Sequence, residues 1–260
     1  MMKTKRLGKT DLYLPVLGLG TVKIGRNEKV KYPEDFKIPD DEAVIELFNK
    51  AKSLGMNFID TAPAYGSSES RLGSLLPGKR EDWIIASKAG EEFIKGESAY
   101  DFSREHIIKS VKRSLKRLKT DYLDIVLIHS NGDDLNIINK DGALETLADL
   151  KKEGLIRASG MSTKTVDGGK RALELSDVVM VSYNPTDTEC REVLEHAKDL
   201  NKGILIKKAF GSGHLCKDEK YTTEDIFKFI FHQAAVTSIV VGSINIKHLE
   251  SNIIEANKAF

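Results

Sequence analysis

Short apolar runs alternate with longer amphipathic stretches along most of this 260-residue chain. In the amphipathic stretches the apolar residues recur every three or four positions, as on one face of a helix; Val44, Leu47, Phe48 and Ala51 form one such stripe. Several of the short runs are apolar at nearly every position, which is typical of parallel strands buried on both faces. The pattern predicts strands at 17–21, 57–59, 83–87, 122–128, 156–160, 178–182, 203–206 and 239–241.

A helix is predicted after each of these strands, and capping residues support several of the boundaries. Asp40 and Ser103 are good N-caps, whereas Gly55 and Gly154 are typical residues at a helix end. The predicted helices cover 41–54, 67–76, 104–118, 143–153, 164–175, 189–200, 223–234 and 247–258.

Counted from Leu17, the chain therefore contains about eight strand–helix units. Strict alternation at that number favours a closed (β/α)8 barrel, a TIM barrel, over an open doubly wound α/β sheet. Residues 5–14, with Gly8 near the turn, predict a short N-terminal β-hairpin, and the polar residues 25–39 predict a surface loop.

Length and composition fit one barrel domain over residues 1–260, since about 250 residues is typical of this fold. The formal net charge of +1 gives no reason to expect a nucleic-acid or membrane partner. No apolar segment is long enough to span a membrane, and no apolar run follows the basic N-terminus as it would in a signal peptide. Cys190 and Cys216 lie far apart with no metal-like spacing, so we expect a reduced, cytoplasmic protein without a metal site.

Four polar residues lie at or just after the ends of three consecutive predicted strands: Asp60, Tyr65, Lys88 and His129. Each has an ordinary structural explanation when taken alone, as a turn former, a packed ring, a solvated charge or a satisfied buried group. The carboxyl ends of parallel strands meet at one rim of a barrel, however, and active sites open there. We therefore expect these four side chains to meet in one cleft.

Together the four residues suit proton transfer to a carbonyl oxygen. An ammonium at Lys88 would stabilise the phenolate of Tyr65 and lower the pKa of that tyrosine from about 10. Asp60 would hold Lys88 by an ion pair, and His129 would donate to a substrate carbonyl or tune Tyr65. The set can deliver a proton to a developing alkoxide but includes no hydride source, so a bound nicotinamide is implied.

Several motifs resemble the aldo-keto reductase family over nearly the whole chain. They are Gly-Met-Asn-Phe-Ile-Asp-Thr-Ala-Pro-Ala-Tyr-Gly at 55–66, Ala-Ser-Lys at 86–88, Asp-Ile-Val-Leu-Ile-His at 124–129 and the Gly-Ser…His-Leu…Asn run at 242–252. The resemblance implies a (β/α)8 barrel that binds NADPH without a Rossmann motif, and no G-x-G-x-x-G follows a predicted strand here. It places the family's catalytic tetrad on Asp60, Tyr65, Lys88 and His129, with Tyr65 as the proton donor.

The resemblance also implies a set of cofactor-binding residues. The nicotinamide end would involve Gly20, Thr21, Asp60, Ser162 and Thr163, with Met180 where relatives often carry a glutamine and Lys207 where they often carry a ring-stacking tyrosine. Backbone amides of a glycine-containing loop can bind phosphate oxygens, and a loop of this kind follows the seventh predicted strand. It would hold the pyrophosphate with Lys208, Phe210, Gly211, Ser212 and Gly213.

The adenosine end of the cofactor is expected at Gly242, Ser243, His248 and Asn252. Ser243 could donate to a 2′-phosphate, whereas His248 and Gly242 replace an arginine and a lysine found in some relatives. Fewer fixed charges weaken the preference for a 2′-phosphate, so we expect NADPH with NADH also possible. The sequence stops at Phe260, where many relatives continue into a tail over the substrate pocket, and we expect an open pocket.

The leading hypothesis is reduction of a small aldehyde or ketone by NAD(P)H. A Schiff-base lyase acting through Lys88 is a second hypothesis, because a lysine at a barrel strand end also suits aldol chemistry. A non-enzymatic nicotinamide-nucleotide sensor or accessory subunit on the same barrel is a third. The substrate and the oligomeric state stay open.

Overall fold

The computed structural model describes residues 2–215 and 220–260, so Cys216 lies outside the described residues. Its strands are, in chain order, β1 (Thr4–Arg6), β2 (Tyr13–Pro15), β3 (Leu17–Gly20), β4 (Phe58–Asp60), β5 (Ile84–Ala89), β6 (Glu91–Ile94), β7 (Glu97–Tyr100), β8 (Leu123–His129), β9 (Ile156–Ser162), β10 (Val178–Ser182), β11 (Gly203–Lys207) and β12 (Val236–Val241).

The helices are α1 (Val22–Gly25), α2 (Asp41–Ser53), α3 (Ser68–Leu75), α4 (Arg104–Leu118), α5 (Asp134–Asn139), α6 (Ala143–Lys152), α7 (Val166–Leu175), α8 (Arg191–Leu200), α9 (Thr223–Phe231) and α10 (Ile246–Ala259). Short 3-10 turns cover Arg80–Asp82 and Gly211–Gly213. Within the two described ranges, no helix combines the length and apolar character that crossing a bilayer requires.

Eight parallel strands close into a barrel in the order β3-β4-β5-β8-β9-β10-β11-β12, and β12 pairs again with β3. The predicted (β/α)8 architecture is therefore confirmed. Side chains alternate along each strand: Ile125 and Leu127 face the barrel interior, while Val126 and Ile128 pack under the helices. Gly18 leaves room for the Phe58 ring inside the barrel, since a Cβ at Gly18 would lie 2.3 Å from that ring.

The predicted N-terminal hairpin is also present, formed by β1 and β2. It lies at the amino-terminal end of the barrel, where Lys5 Nζ donates to the carbonyl oxygens of Ala234 and Val236 at 2.6 and 2.8 Å. Its turn brings Leu7 against Gly203 at the start of β11, and Leu7 and Leu14 are fully buried with the interior side chains. The hairpin therefore closes the end of the barrel opposite to the strand ends that carry the predicted site.

Four short helices and strands were not predicted: α1, α5 and the two strands of the antiparallel pair β6–β7. The pair β6–β7 is mostly exposed and has mixed polarity, so neither a buried run nor a clear alternation marks it in the sequence. Helix α5 is only six residues long, too short for a helical repeat of apolar positions to show.

A buried carboxylate links three barrel strands near their amino ends. Asp124 Oδ2 accepts from the Ile85 amide at 2.9 Å and from the Arg80 guanidinium at 2.7 Å, while Oδ1 accepts from Arg157 at 2.8 Å. The side chain of Asp124 is only 2% exposed. Its loss would leave a buried amide and two cations without their shared acceptor.

We expect Asp124→Ala to lower the free energy of unfolding by about 2–3 kcal/mol, because a buried charge network loses its centre while the arginines keep some access to water. Urea unfolding followed by circular dichroism measures this change. Asp149→Ala is the matched control, since Asp149 pairs with Arg104 at the surface and its removal should matter much less. Equal destabilisation by the two substitutions would contradict the role assigned to Asp124.

Candidate active site

A cavity of about 930 Å³ lies at the carboxyl ends of the barrel strands. Residues that end different strands line it, among them Gly20 of β3, Asp60 of β4, Ser162 of β9 and Lys207 of β11. This volume is at the upper end of ordinary ligand pockets and is large enough for an extended ligand. Fold geometry alone therefore brings side chains from distant parts of the sequence to one site.

The four residues predicted to meet in one cleft all line this cavity. Lys88 Nζ donates to Asp60 Oδ1 at 2.7 Å and to the Thr61 carbonyl oxygen at 2.9 Å. The same nitrogen lies 4.7 Å from the centre of the Tyr65 ring, and the rings of Tyr65 and His129 meet edge to face with centroids 6.2 Å apart. With side chains 1% and 5% exposed, Lys88 and Asp60 form a buried ion pair beside a phenol.

Two glycines shape the loop that carries Tyr65. Gly66 has φ +61°, and a Cβ there would lie 2.1 Å from the Gly25 carbonyl oxygen. A Cβ at Gly25 would in turn lie 2.2 Å from the Tyr65 carbonyl oxygen. The backbones of α1 and the Tyr65 loop thus touch, with no room for a side chain between them. This contact fixes the position of the Tyr65 backbone.

Buried hydroxyl groups tie the same loop to the barrel. Ser68 Oγ lies 2.9 Å from Thr61 Oγ1 and donates to Thr21 Oγ1 at 2.7 Å, and Thr21 Oγ1 donates to the Asp60 carbonyl oxygen at 2.9 Å. All three side chains are essentially inaccessible to solvent. Thr21 was predicted to contact cofactor; in the structure its hydroxyl is also a link between β3, β4 and the start of α3.

The pKa of Tyr65 differs from the sequence prediction. Burial raises the pKa of Tyr65 above its ordinary value, and the neighbouring Lys88 ammonium only partly opposes this effect. The expected net lowering is therefore wrong: burial outweighs the ammonium because the phenolate loses its hydration. Burial alone would lower the pKa of Lys88, but the charge of Asp60 reverses this and raises it, so Lys88 is a permanent cation at neutral pH.

His129 has a neighbour that the sequence analysis missed. Its Nδ1 atom lies 2.7 Å from Oε2 of Glu91, the first residue of β6, although the angle at the ring falls short of a regular hydrogen bond. Burial lowers the pKa of His129, against the opposing charge of Glu91. Burial alone would raise the pKa of the Glu91 carboxyl. Its interactions with His129 and Ser98 outweigh burial and hold this pKa at about 2.

The residues predicted for the nicotinamide end lie beside this cluster. Lys207 Nζ donates to Ser162 Oγ at 2.7 Å and to the Thr163 carbonyl oxygen at 3.0 Å. Thr163 Oγ1 is buried in the cavity wall without a hydrogen-bond partner. Asp134 fixes the segment that follows, because its Oδ2 accepts from the amides of residues 164 and 165 at 2.9 and 2.7 Å.

Lys207 is an amine with unusual acidity. Burial, helped by the positive charges of Lys208 and Lys88, lowers the pKa of Lys207 to about 7. The amine is therefore partly deprotonated near neutral pH. Lys88, by contrast, keeps its proton, so the two cavity lysines have different chemistry.

The segment after β11 is a tight turn that contains several left-handed residues. Lys208, Gly211, Ser212 and Gly213 all have φ values between +56° and +97°, and Asn184 Nδ2 holds the Lys208 carbonyl oxygen at 3.0 Å. Two backbone amides of the segment donate within it: Gly211 to the Lys208 carbonyl oxygen and Gly213 to the Phe210 carbonyl oxygen, both at 2.8 Å. Of the predicted loop residues Lys208, Phe210, Gly211, Ser212 and Gly213, all except Gly211 line the cavity.

The predicted adenosine residues Gly242, Ser243, His248 and Asn252 line the far part of the cavity. The Ser243 hydroxyl donates to the Asn245 carbonyl oxygen at 3.1 Å, and Asn245 caps the first turn of α10. His248 is exposed in that turn, so its ring is accessible from the cavity rim.

The structure adds residues that the sequence did not indicate. Residues 26–39 contain no regular element, as predicted, yet Lys31 and Tyr32 reach the cavity from this loop. Tyr32 Oη would lie 2.9 Å from a Cβ placed on Gly242, and Lys23 stacks on the Tyr32 ring at 4.0 Å. In the sequence, the only indication that this loop reaches the cavity was the basic Lys31 beside the aromatic Tyr32.

The sequence model of the aldo/keto reductase family matches residues 16–227 of this chain. The chain belongs to the aldo-keto reductase family. Its fold agrees with a crystal structure from Pseudomonas aeruginosa assigned to these reductases, with a TM-score of 0.90, 47% identity and coverage of 98% of this chain and 94% of that one.

Two curated relatives are enzymes of the same broad class. An uncharacterized oxidoreductase of Bacillus subtilis, YqkF, is 30% identical over 98% of this chain and 92% of its own length. The NADH-specific methylglyoxal reductase of Escherichia coli is 30% identical over 79% of this chain and 66% of its own length. Like other members of the family, this aldo-keto reductase is an oxidoreductase.

We expect Lys207 to titrate near pH 7, being charged below that pH and neutral above it. NMR of protein labelled at the lysine Cε carbon should show one resonance with this midpoint, and Lys207→Met should remove it. Lys170 is an internal control, because Glu192 raises the pKa of that exposed amine. A Lys207 resonance that stays unshifted through neutral pH would contradict the assignment.

Proposed function

We propose that this chain reduces an aldehyde or ketone to an alcohol with NAD(P)H, with Tyr65 as the proton donor. The observation that carries the proposal is the buried Lys88–Asp60 pair, which places a permanent cation 4.7 Å from the Tyr65 ring in the wall of a large cavity. A phenol and a shielded ammonium together provide both a proton and stabilisation for the charge left behind. Membership of the aldo-keto reductases supports the same reaction.

The proposed roles follow from the positions of the groups. Tyr65 is protonated in the resting site, because burial keeps its pKa high. When negative charge develops on the substrate oxygen, the Tyr65 hydroxyl donates its proton, and the Lys88 ammonium stabilises the resulting phenolate. Asp60 and the Thr61 carbonyl oxygen hold Lys88 in place throughout. These fixed groups need little reorganisation during the reaction, which is why such sites are effective.

The nicotinamide cofactor supplies the hydride when bound, and the cavity has groups that suit each part of it. Ser162, the unpartnered Thr163 hydroxyl and Lys207 would hold the carboxamide end, and the loop 208–213 would hold the pyrophosphate. Ser243, His248 and Asn252 would contact the adenosine end. We propose NADPH, as the family resemblance implies. NADH is also accepted, because the described residues that line the adenosine end include no arginine and the E. coli relative is named for NADH.

The alternative lyase hypothesis does not fit Lys88 but is more consistent with Lys207. A Schiff base needs a neutral amine, and Lys88 is held as a cation by Asp60. Lys207, with a pKa of about 7, is the cavity amine suited to attack a carbonyl. Borohydride trapping of a carbonyl compound on Lys207, without cofactor, would favour this second function; a nucleotide sensor would instead bind cofactor and turn over no carbonyl compound.

We expect Tyr65→Phe to lower kcat for carbonyl reduction about 10²–10⁴-fold, because the proton donor is lost while the ring stays. Cofactor absorbance measures turnover, and fluorescence titration should show nearly unchanged NADPH binding. Tyr13→Phe is the matched control, since Tyr13 is exposed on β2 at the opposite end of the barrel. Full turnover by Tyr65→Phe would refute the role of this residue.

We expect NADPH and NADH to bind with dissociation constants within about tenfold of each other, because few fixed charges face the adenosine end. His248→Arg should tighten NADPH binding severalfold by adding a permanent charge near a 2′-phosphate. NADH serves as the internal control, since it lacks that phosphate and its affinity should stay the same. Equal changes for both cofactors would show that His248 does not face the 2′ position.

A further inference from the structure

The pair β6–β7 follows directly after β5, the strand that carries Lys88. Most of its residues are exposed, and all four residues of β7 are. Glu91 is the only residue of the pair that is fully buried, with 8% of its surface accessible. A carboxylate buried at the base of an exposed hairpin is unusual, because desolvation of a charge is costly without partners.

The partners of Glu91 account for both carboxylate oxygens. Oε2 lies 2.7 Å from Nδ1 of His129, and Oε1 accepts a hydrogen bond from the Ser98 hydroxyl at 2.7 Å. Ser98 belongs to β7, so the hairpin supplies both the acid and the group that orients it. The arrangement therefore depends on the hairpin being folded against the barrel.

Arg26 anchors the hairpin to the loop that carries Tyr65. Its guanidinium stacks on the ring of Phe93 in β6 at 3.9 Å and donates to the Ala64 carbonyl oxygen at 2.8 Å. Ala64 immediately precedes Tyr65. The hairpin, His129 and Tyr65 are thus held in one unit, although they come from three parts of the chain.

The contact with Glu91 determines where the His129 proton lies. A carboxylate accepts hydrogen bonds only, and a neutral imidazole carries one proton on one of its two nitrogens. A proton on Nδ1 would be attracted by the Glu91 carboxylate even though the contact lacks regular hydrogen-bond geometry, whereas a bare Nδ1 would place two lone pairs 2.7 Å apart. The other nitrogen, Nε2, then has no proton and is a hydrogen-bond acceptor, on a residue that lines the cavity.

We propose that Glu91 is a positioning residue that fixes His129 as the tautomer protonated on Nδ1, so that Nε2 accepts a hydrogen bond from a hydroxyl group in the cavity. This assigns His129 to the Tyr65 hydroxyl or an alcohol group of the ligand, not to a carbonyl oxygen that requires a donor. The carboxylate would also stabilise an imidazolium if Nε2 gained a proton. The tautomer rests on the 2.7 Å separation of Nδ1 and Oε2 and on the acceptor-only chemistry of a carboxylate, and only its effect on turnover rests on the proposed function.

The direct test is the ¹⁵N spectrum of the imidazole groups near pH 7.5, with His129 assigned by its loss in His129→Asn. We expect a protonated Nδ1 and an unprotonated Nε2 in the unchanged chain. Glu91→Gln should populate the other tautomer, because an amide can present either a donor or an acceptor to Nδ1. A proton on Nε2 in the unchanged chain, or no change in Glu91→Gln, would overturn the proposal.

Glu97→Gln is the matched control on the same hairpin. Glu97 is exposed and its nearest cationic group is Lys29 Nζ at 3.8 Å, so its substitution should leave the His129 signals in place. If Glu91→Gln does not fold, Ser98→Ala removes the second support of the carboxylate and should shift the tautomer populations partially. Unchanged populations in folded Ser98→Ala and a collapse of the hairpin in Glu91→Gln would indicate a structural role only.

A kinetic readout extends the test to catalysis. Glu91→Gln should lower kcat about tenfold or more with little change in KM, and should move the pH limb due to His129 to lower pH, since the favourable negative charge is gone. Lys88 and Lys207 are the other charged groups facing His129, and Arg26 and Tyr100 face Glu91. If the unchanged chain reduces no carbonyl compound, the proposed function fails, but the NMR result still decides the tautomer.

Discussion

The active-site end of this protein depends on one ion pair that has almost no contact with water. Lys88 comes from β5 and Asp60 from β4, and neither charge would be tolerated alone at this depth. Removal of one partner from such a pair typically costs about 3–5 kcal/mol, since the other charge is left buried. The pair therefore joins two neighbouring strands. It also places a cation near Tyr65 that solvent cannot screen.

The elements around this pair hold Tyr65 and His129 in place. The Gly25–Gly66 contact and the Thr21–Ser68–Thr61 hydroxyl chain fix the Tyr65 loop on one side, and β6–β7 fixes His129 on the other. Burial raises the pKa of Tyr65, so this residue is a neutral phenol and not a phenolate. A donor with a high pKa releases its proton only when negative charge develops nearby, which suits reduction of a carbonyl group.

Much of this arrangement could be predicted from the sequence because it follows from strand ends. Asp60, Lys88 and His129 mark the ends of buried apolar runs, and barrel geometry alone brings such positions to one rim. Glu91 could not be found in this way, because it belongs to a hairpin whose exposed residues carry no periodic pattern. The pKa of Tyr65 also escaped prediction, since burial is a property of the folded environment and not of neighbouring residues in the sequence.

The N-terminal hairpin limits where a ligand can enter the barrel. Leu7 and Leu14 plug the base of the barrel, and packed side chains such as Phe58 fill the space above them. Within the described residues, the cavity therefore opens at the carboxyl ends of the strands and not through the base of the barrel. A ligand in this cavity must therefore enter and leave at the carboxyl ends of the strands.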